Sequence, residues 1–205
     1  MTLRGRVAEG TAGLGYPLPV GYTIARAIPS AFPGVAECIW APTATVTVAN
    51  TVLETSLFSA SEIAQREIAA NLVGAGTEIA FRLRGHYGAS AAAGTDGRLR
   101  VKLGSTVLLD SGVRTFPPAA TGTAWAFDGL LQCETTGLTG AWRAWAALSF
   151  AQADAAPLMT LGISPTSTIA VDTTVEQIFN ATLQWSVANA ANTWTRGPGR
   201  VEITL

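Results

Sequence analysis

The stretch from Arg98 to Gly112, RLRVKLGSTVLLDSG, decides the fold class. Leu99, Val101 and Leu103 alternate with Arg98, Arg100 and Lys102, the period-two pattern of a strand with one apolar and one charged face. Gly104-Ser105 supplies a two-residue turn with glycine first, as a type II′ turn prefers, and Thr106 to Asp110 is the return strand. The outward row of Arg98, Arg100 and Lys102 can meet an anion or keep a strand face solvated; the second use is the commoner one.

The same texture extends both ways. Thr45 to Asn50 (TVTVAN) alternates β-branched and small residues, and LETSLFS follows it. In EIAFRLRGHY, Ile79, Phe81 and Leu83 point one way, opposite Glu78, Arg82 and Arg84. Thr123 to Thr135 reads as a strand with Trp125, Phe127 and Leu131 in the core. Ala141 to Phe150 reads as a further strand, although its alanines also suit a helix. TIAVD, VEQIFNATLQWSV and TWTRGPGRVEITL supply the last strands. Ser61 to Val73 stays open: Ile63, Ile68, Leu72 and Val73 can form one helical face with Ser61 as N-cap, or the segment is two short strands or a strand and a turn. Eight to ten strands without alternating amphipathic helices predict an all-β fold, an antiparallel jelly-roll-like sandwich over residues 45–205.

Residues 1–44 differ. Half of the chain's 10 prolines stand here (Pro17, Pro19, Pro29, Pro33, Pro42), so regular sheet is not expected. The segment is nevertheless apolar, through Tyr16, Leu18, Tyr22, Ile24, Ile28 and Phe32. It reads as an irregular, proline-rich N-terminal arm that attaches to a neighbouring subunit or another protein, or else as an irregular layer on its own domain.

Composition excludes several functions. Thirteen basic and 14 acidic side chains leave a net charge of −1, so the basic excess that phosphate neutralisation needs is missing and no nucleic-acid partner is expected. Two cysteines and one histidine cannot supply the four ligands of a structural zinc site. Cys38 and Cys133 are two buried free thiols or a single disulfide. No run of about 20 apolar residues spans a bilayer, and the start lacks a signal-peptide apolar region, so membrane insertion and export are not expected. His86, in RGHYG, has no partner at a recognisable spacing, and nucleotide, hydrolase and zinc-protease motifs are absent. No catalytic residue, cofactor or metal is expected. Only 13% of residues are charged, about half the usual share, so the surface is largely small and uncharged, as in a protein that packs against copies of itself. Of the 6 tryptophans, Trp142 and Trp145 lie three apart and face opposite sides of a strand; with Trp194 they are candidate ligand-facing or interface aromatics, and a surface ring of this kind can stack on a sugar.

From about Thr47 to the C-terminus the chain resembles small jelly-roll structural proteins of tailed-bacteriophage virions. The resemblance is carried by TVANTVLETSLFS, GTEIAFRLRGHYG, RLRVKLGSTVLLDSG, WAFDGLLQCETTGLTG and TIAVDTTVEQIFNATLQWSVANAANTWT, in that order. It implies a homotrimeric sandwich on the exterior of the particle, as capsid decoration or head fibre, or as a tail fibre or tip module. The other virion proteins would be met through the arm, which lies outside the resemblance. Carbohydrate or receptor binding by a fibre, with a host-surface glycan as partner, is the alternative.

Overall fold

The computed structural model describes residues 36–42, 44–91, 95–151 and 158–205. The arm residues Tyr16, Leu18, Tyr22, Ile24, Ile28 and Phe32 lie outside them. In chain order the strands are β1 (Ala36–Trp40), β2 (Val46–Ala49), β3 (Thr55–Ser56), β4 (Glu67–Ile68), β5 (Glu78–Gly88), β6 (Asp96–Leu103) and β7 (Thr106–Asp110). Then follow β8 (Arg114–Thr115), β9 (Thr123–Cys133), β10 (Gly140–Ala151), β11 (Leu158–Ile163), β12 (Ile169–Val171), β13 (Gln177–Trp185) and β14 (Thr193–Thr204).

They form two antiparallel sheets packed as a sandwich. The eight-stranded sheet runs β1-β14-β5-β9-β10-β11, with β2 also on β14 and β12 also on β10. The six-stranded sheet runs β3-β13-β6-β7, with β4 on β13 and β8 on β6. The chain passes from one sheet to the other between β2 and β3, β4 and β5, β5 and β6, and β8 and β9, and on either side of β13. This is the all-β, jelly-roll-like architecture expected from the strand pattern.

Alternation explains the layers. Ile79, Phe81 and Leu83 of β5, Leu99, Val101 and Leu103 of β6, and Trp125, Phe127 and Leu131 of β9 are all buried. Phe81 meets Phe127 within its sheet at 5.2 Å and Phe179 across the sandwich at 5.6 Å. At one end Trp194 stacks on Trp125 at 4.8 Å and on Tyr87 at 5.6 Å, with Phe116 edging against it. Two strand glycines make the room: a Cβ on Gly85 would fall 1.9 Å from the Thr195 carbonyl oxygen and 2.8 Å from the Trp125 ring, and one on Gly129 would fall 2.3 Å from the Phe81 ring.

The β6–β7 hairpin turns at Gly104-Ser105, where Gly104 has φ +56° and Ser105 has no positive φ, as type II′ requires. In β14 the pairing with β5 shifts between Arg196 and Gly199. Pro198 stands in that interval and has no N–H to give a ladder, so a bulge forms there. β2 pairs with residues 193–196 and β1 with 201–204, one on each side of the bulge.

Three expectations are corrected. Regular sheet does occur before residue 44, because Ala36–Trp40 pairs with β14 as an edge strand and Trp40 packs edge-on against Phe58 at 4.7 Å. Pro42 falls outside the ladder. Of the readings open for Ser61–Val73 the structure has turns and a strand, with two 3-10 turns, Ala60–Glu62 and Ala64–Arg66, leading into β4; the N-cap expected at Ser61 is Ser59, its N–H donating to Glu62 Oε2 at 2.8 Å. Both thiols are free, but only Cys133 is buried; Cys38 is exposed on β1.

Candidate functional site

Among the described residues, the exposed large aromatic stands on the outer face of the eight-stranded sheet. On β10 the even-numbered residues Trp142, Ala144, Leu148 and Phe150 are buried, so Arg143 and Trp145 turn outward, and Trp145 is 40% exposed. The register sets Trp145 opposite Leu130, Leu130 opposite Ala80, and Ala80 opposite Glu202. The next row out is Ala147, Asp128, Arg82 and Arg200. Directly opposite side chains on one face lie about 4.5–5.5 Å apart at Cβ. The indole therefore stands beside Leu130 and Ala147, with Ala80 one strand further on, in a field rimmed by polar groups. Arg84 holds Asp128 through two parallel bonds at 2.7 and 3.0 Å, Gln132 donates to Glu78 at 3.2 Å, and Arg143 pairs with Glu134.

Trp142 and Trp194 are 1% and 0% exposed. They fill the interior and are removed from the ligand-facing set. Strand geometry had already put Trp142 and Trp145 on opposite sides.

The charged row of β6 is engaged. Asp110 accepts from Arg98 and, at 3.2 Å, from Arg100; Glu54 accepts from Arg100 at 2.7 Å, from Thr182 at 2.6 Å and from Lys102. Burial pushes both carboxyls up, but the surrounding bonds and charges outweigh it. Lys102, Thr182 and Arg100 hold Glu54 below its ordinary value, and Arg98, the Gly112 N–H and Arg100 hold Asp110 below its own. This row is an ion-pair ladder that joins Glu54, just before β3, to β6 and β7, and its cations are already partnered. Beyond its end lies a cleft of about 360 Å³ between Val52, Val113, Asp96, Arg98 and Gln184, with Val52 and Val113 exposed.

Sequence reasoning missed a third feature. Glu62, Arg66 and Arg196 are the buried charged side chains among the described residues. Arg196 donates to the carbonyls of Leu57 at 2.9 Å and Ala44 at 2.7 Å, and to Glu62 Oε2 at 2.9 Å. Only the tertiary fold unites partners 134 residues apart. Among the described residues no three His, Cys, Asp or Glu side chains converge, and no helix is long and apolar enough to cross a membrane. His86 is exposed on the outer face of β5.

No protein-family model and no curated protein matches this chain. A solved structure that it resembles weakly is the CBM2 module of the evolved Dit of Lactobacillus casei BL23 phage J-1. The two are 12% identical over 68% of each chain, with a TM-score of 0.29.

Proposed function

We propose that this chain is a non-enzymatic structural module of a tailed-bacteriophage virion, a homotrimer displayed on the exterior of the capsid or tail and attached through the segment that precedes β1. The motif series supports the family. Its segments fall on β2–β3, β5, β6–β7, β9 with the turn into β10, and β12 to the start of β14, so they belong to the framework of the sandwich. The observation that carries assembly is the outer face of the eight-stranded sheet. It sets a 40% exposed indole beside Leu130 and Ala147, inside a rim of charged side chains, the apolar centre and polar rim of an interface.

Light scattering on the full-length protein tests this reading: a mass three times 21.2 kDa is expected, and a monomer at all concentrations removes the trimer. Deleting residues 1–35 leaves every described strand in place, and is expected to give a folded trimer that particles no longer incorporate. Incorporation at full occupancy would overturn attachment by that segment.

One observation favours a second reading, that the module binds a host-surface glycan. Trp145 offers a ring face beside the polar side chains of Arg143, Gln132 and Asp128. A glycan array that scores hits with the wild type and loses them with Trp145→Ala supports this; a blank array removes it.

A further inference from the structure

A second cavity, of about 420 Å³, opens between the 3-10 turns and β13, and is lined by Ser56, Phe58, Ser59, Ile63, Arg66 and Asn180. This volume lies within the roughly 300–1,000 Å³ of small-ligand sites. Arg66 is 3% exposed. Its guanidinium lies over the Phe58 ring at 4.3 Å, and its Nη1 donates to the Phe179 carbonyl. Those two contacts use one face and one nitrogen. The Nε–H is buried and meets no acceptor. In the neighbouring Arg196 all three guanidinium nitrogens have protein acceptors; Glu62, the buried carboxylate of the cluster, pairs with it and also favours the Arg66 charge from a distance.

A buried Nε–H without an acceptor is costly, and a guanidinium matches the two oxygens of a carboxylate. The rest of the wall suits a compact ligand. The Asn180 amide spends its Oδ1 on Ser56 at 2.7 Å, so its NH2 group is the donor it has left to offer. Ser59 carries a hydroxyl, shared with Ser61 at 2.9 Å. Phe58 and the 43% exposed Ile63 give apolar sides.

We infer that this cavity binds a monocarboxylate of about monosaccharide size, its carboxylate on the Arg66 guanidinium and its body between Ile63 and Asn180. The inference does not rest on the virion reading, because the titration below needs neither trimer nor particle.

Calorimetric titration of the full-length protein tests it, with methyl glucuronide as a sugar acid and N-acetylalanine as an amino-acid acid. Their uncharged counterparts are methyl glucoside and N-acetylalaninamide. At least one acid is expected to bind with Kd of about 1 mM or tighter, and its counterpart at least about tenfold more weakly. Whichever acid binds identifies the source of the carboxylate. Asn180→Asp keeps the acceptor for Ser56 and sets a negative charge in the wall, so the fold persists and acid affinity falls about tenfold or more. Arg66→Gln is expected to abolish binding. No binding by either acid at about 10 mM overturns the inference. So does equal binding of an acid and its counterpart, or wild-type affinity in a folded Asn180→Asp protein.

Discussion

Arg196 shows how one charged side chain can be built into an apolar sandwich. Its guanidinium is fully buried, lies 4.9 Å from the centre of the Trp40 ring, and bonds three separate segments: the stretch after β1, the stretch after β3 and the first 3-10 turn. Desolvation works against its charge and Glu62 opposes that effect. Removing the carboxylate leaves the cation buried and unpaired, so Glu62→Gln is expected to destabilise the protein by about 3–5 kcal/mol in urea unfolding. Adding Arg196→Met removes the stranded charge but also takes the donors from the Leu57 and Ala44 carbonyls. The double variant is therefore expected to stay well below wild type. A double variant of wild-type stability would mean that the pair only compensates itself and does not tie the segments together.

The β6–β7 hairpin is the element where sequence and structure agree most closely, and it yields two predictions. Gly104 has φ +56°, a region costly for a residue with a Cβ, while the close contact a Cβ would meet is the tip of the flexible Gln177 side chain. Backbone conformation therefore decides the outcome: Gly104→Ala is expected to cost about 1–2 kcal/mol in chemical unfolding, and Gly104→Asn, which tolerates positive φ, less. Equal losses would put the cost on the side-chain contact.

Across the same hairpin, Glu54 and Asp110 have native pKa values below their ordinary ones. Groups of this kind add stability that is complete above the ordinary carboxylate range and is lost as pH falls through that range toward the depressed native values. Their partial exposure to solvent limits each contribution to less than about 1 kcal/mol. Urea midpoints at about pH 6 and about pH 3 should therefore differ more for wild type than for the Glu54→Gln/Asp110→Asn double variant. An identical acid response in both would place the acid sensitivity elsewhere.

Period-two alternation made β5, β6, β9, β10 and β13 legible, because each buries one face. Three things were hidden, each for a physical reason. β1 sits between prolines, and its pairing is set by β14 at the far end of the chain. The apolar spacing of Ile63 and Ile68 imitates a helix, yet Ile63 stays 43% exposed while Ile68 is buried under β13. In β14 the Pro198 bulge reverses the parity: Trp194 and Arg196 are inward before it, and Val201 and Ile203 after it. Counting back from Ile203 would turn Trp194 to solvent. Trp142 was decidable, since it shares parity with Leu148 and Phe150.

At the scale of the whole molecule, five of the six tryptophans are interior, and Trp145 alone offers its indole to solvent. Collisional quenching by iodide therefore reports on one residue at the centre of the proposed contact face. If the trimer covers the outer face of the eight-stranded sheet, the quenchable fraction falls as concentration carries the protein from monomer to trimer. A buried aromatic at the centre of an interface is worth about 2 kcal/mol or more, so Trp145→Ser is expected to raise the concentration for half-dissociation by at least about tenfold. The interior packing is untouched, so the unfolding midpoint of the monomer should stay within about 0.5 kcal/mol of wild type. A trimer in which Trp145 stays fully quenchable would move the contact to another surface. The end carrying the exposed Val52, Val113 and Val187 is the next apolar region to probe, and the indole would then be free for a glycan. A protein that remains at 21.2 kDa throughout would leave no trimer in solution for either surface to hold.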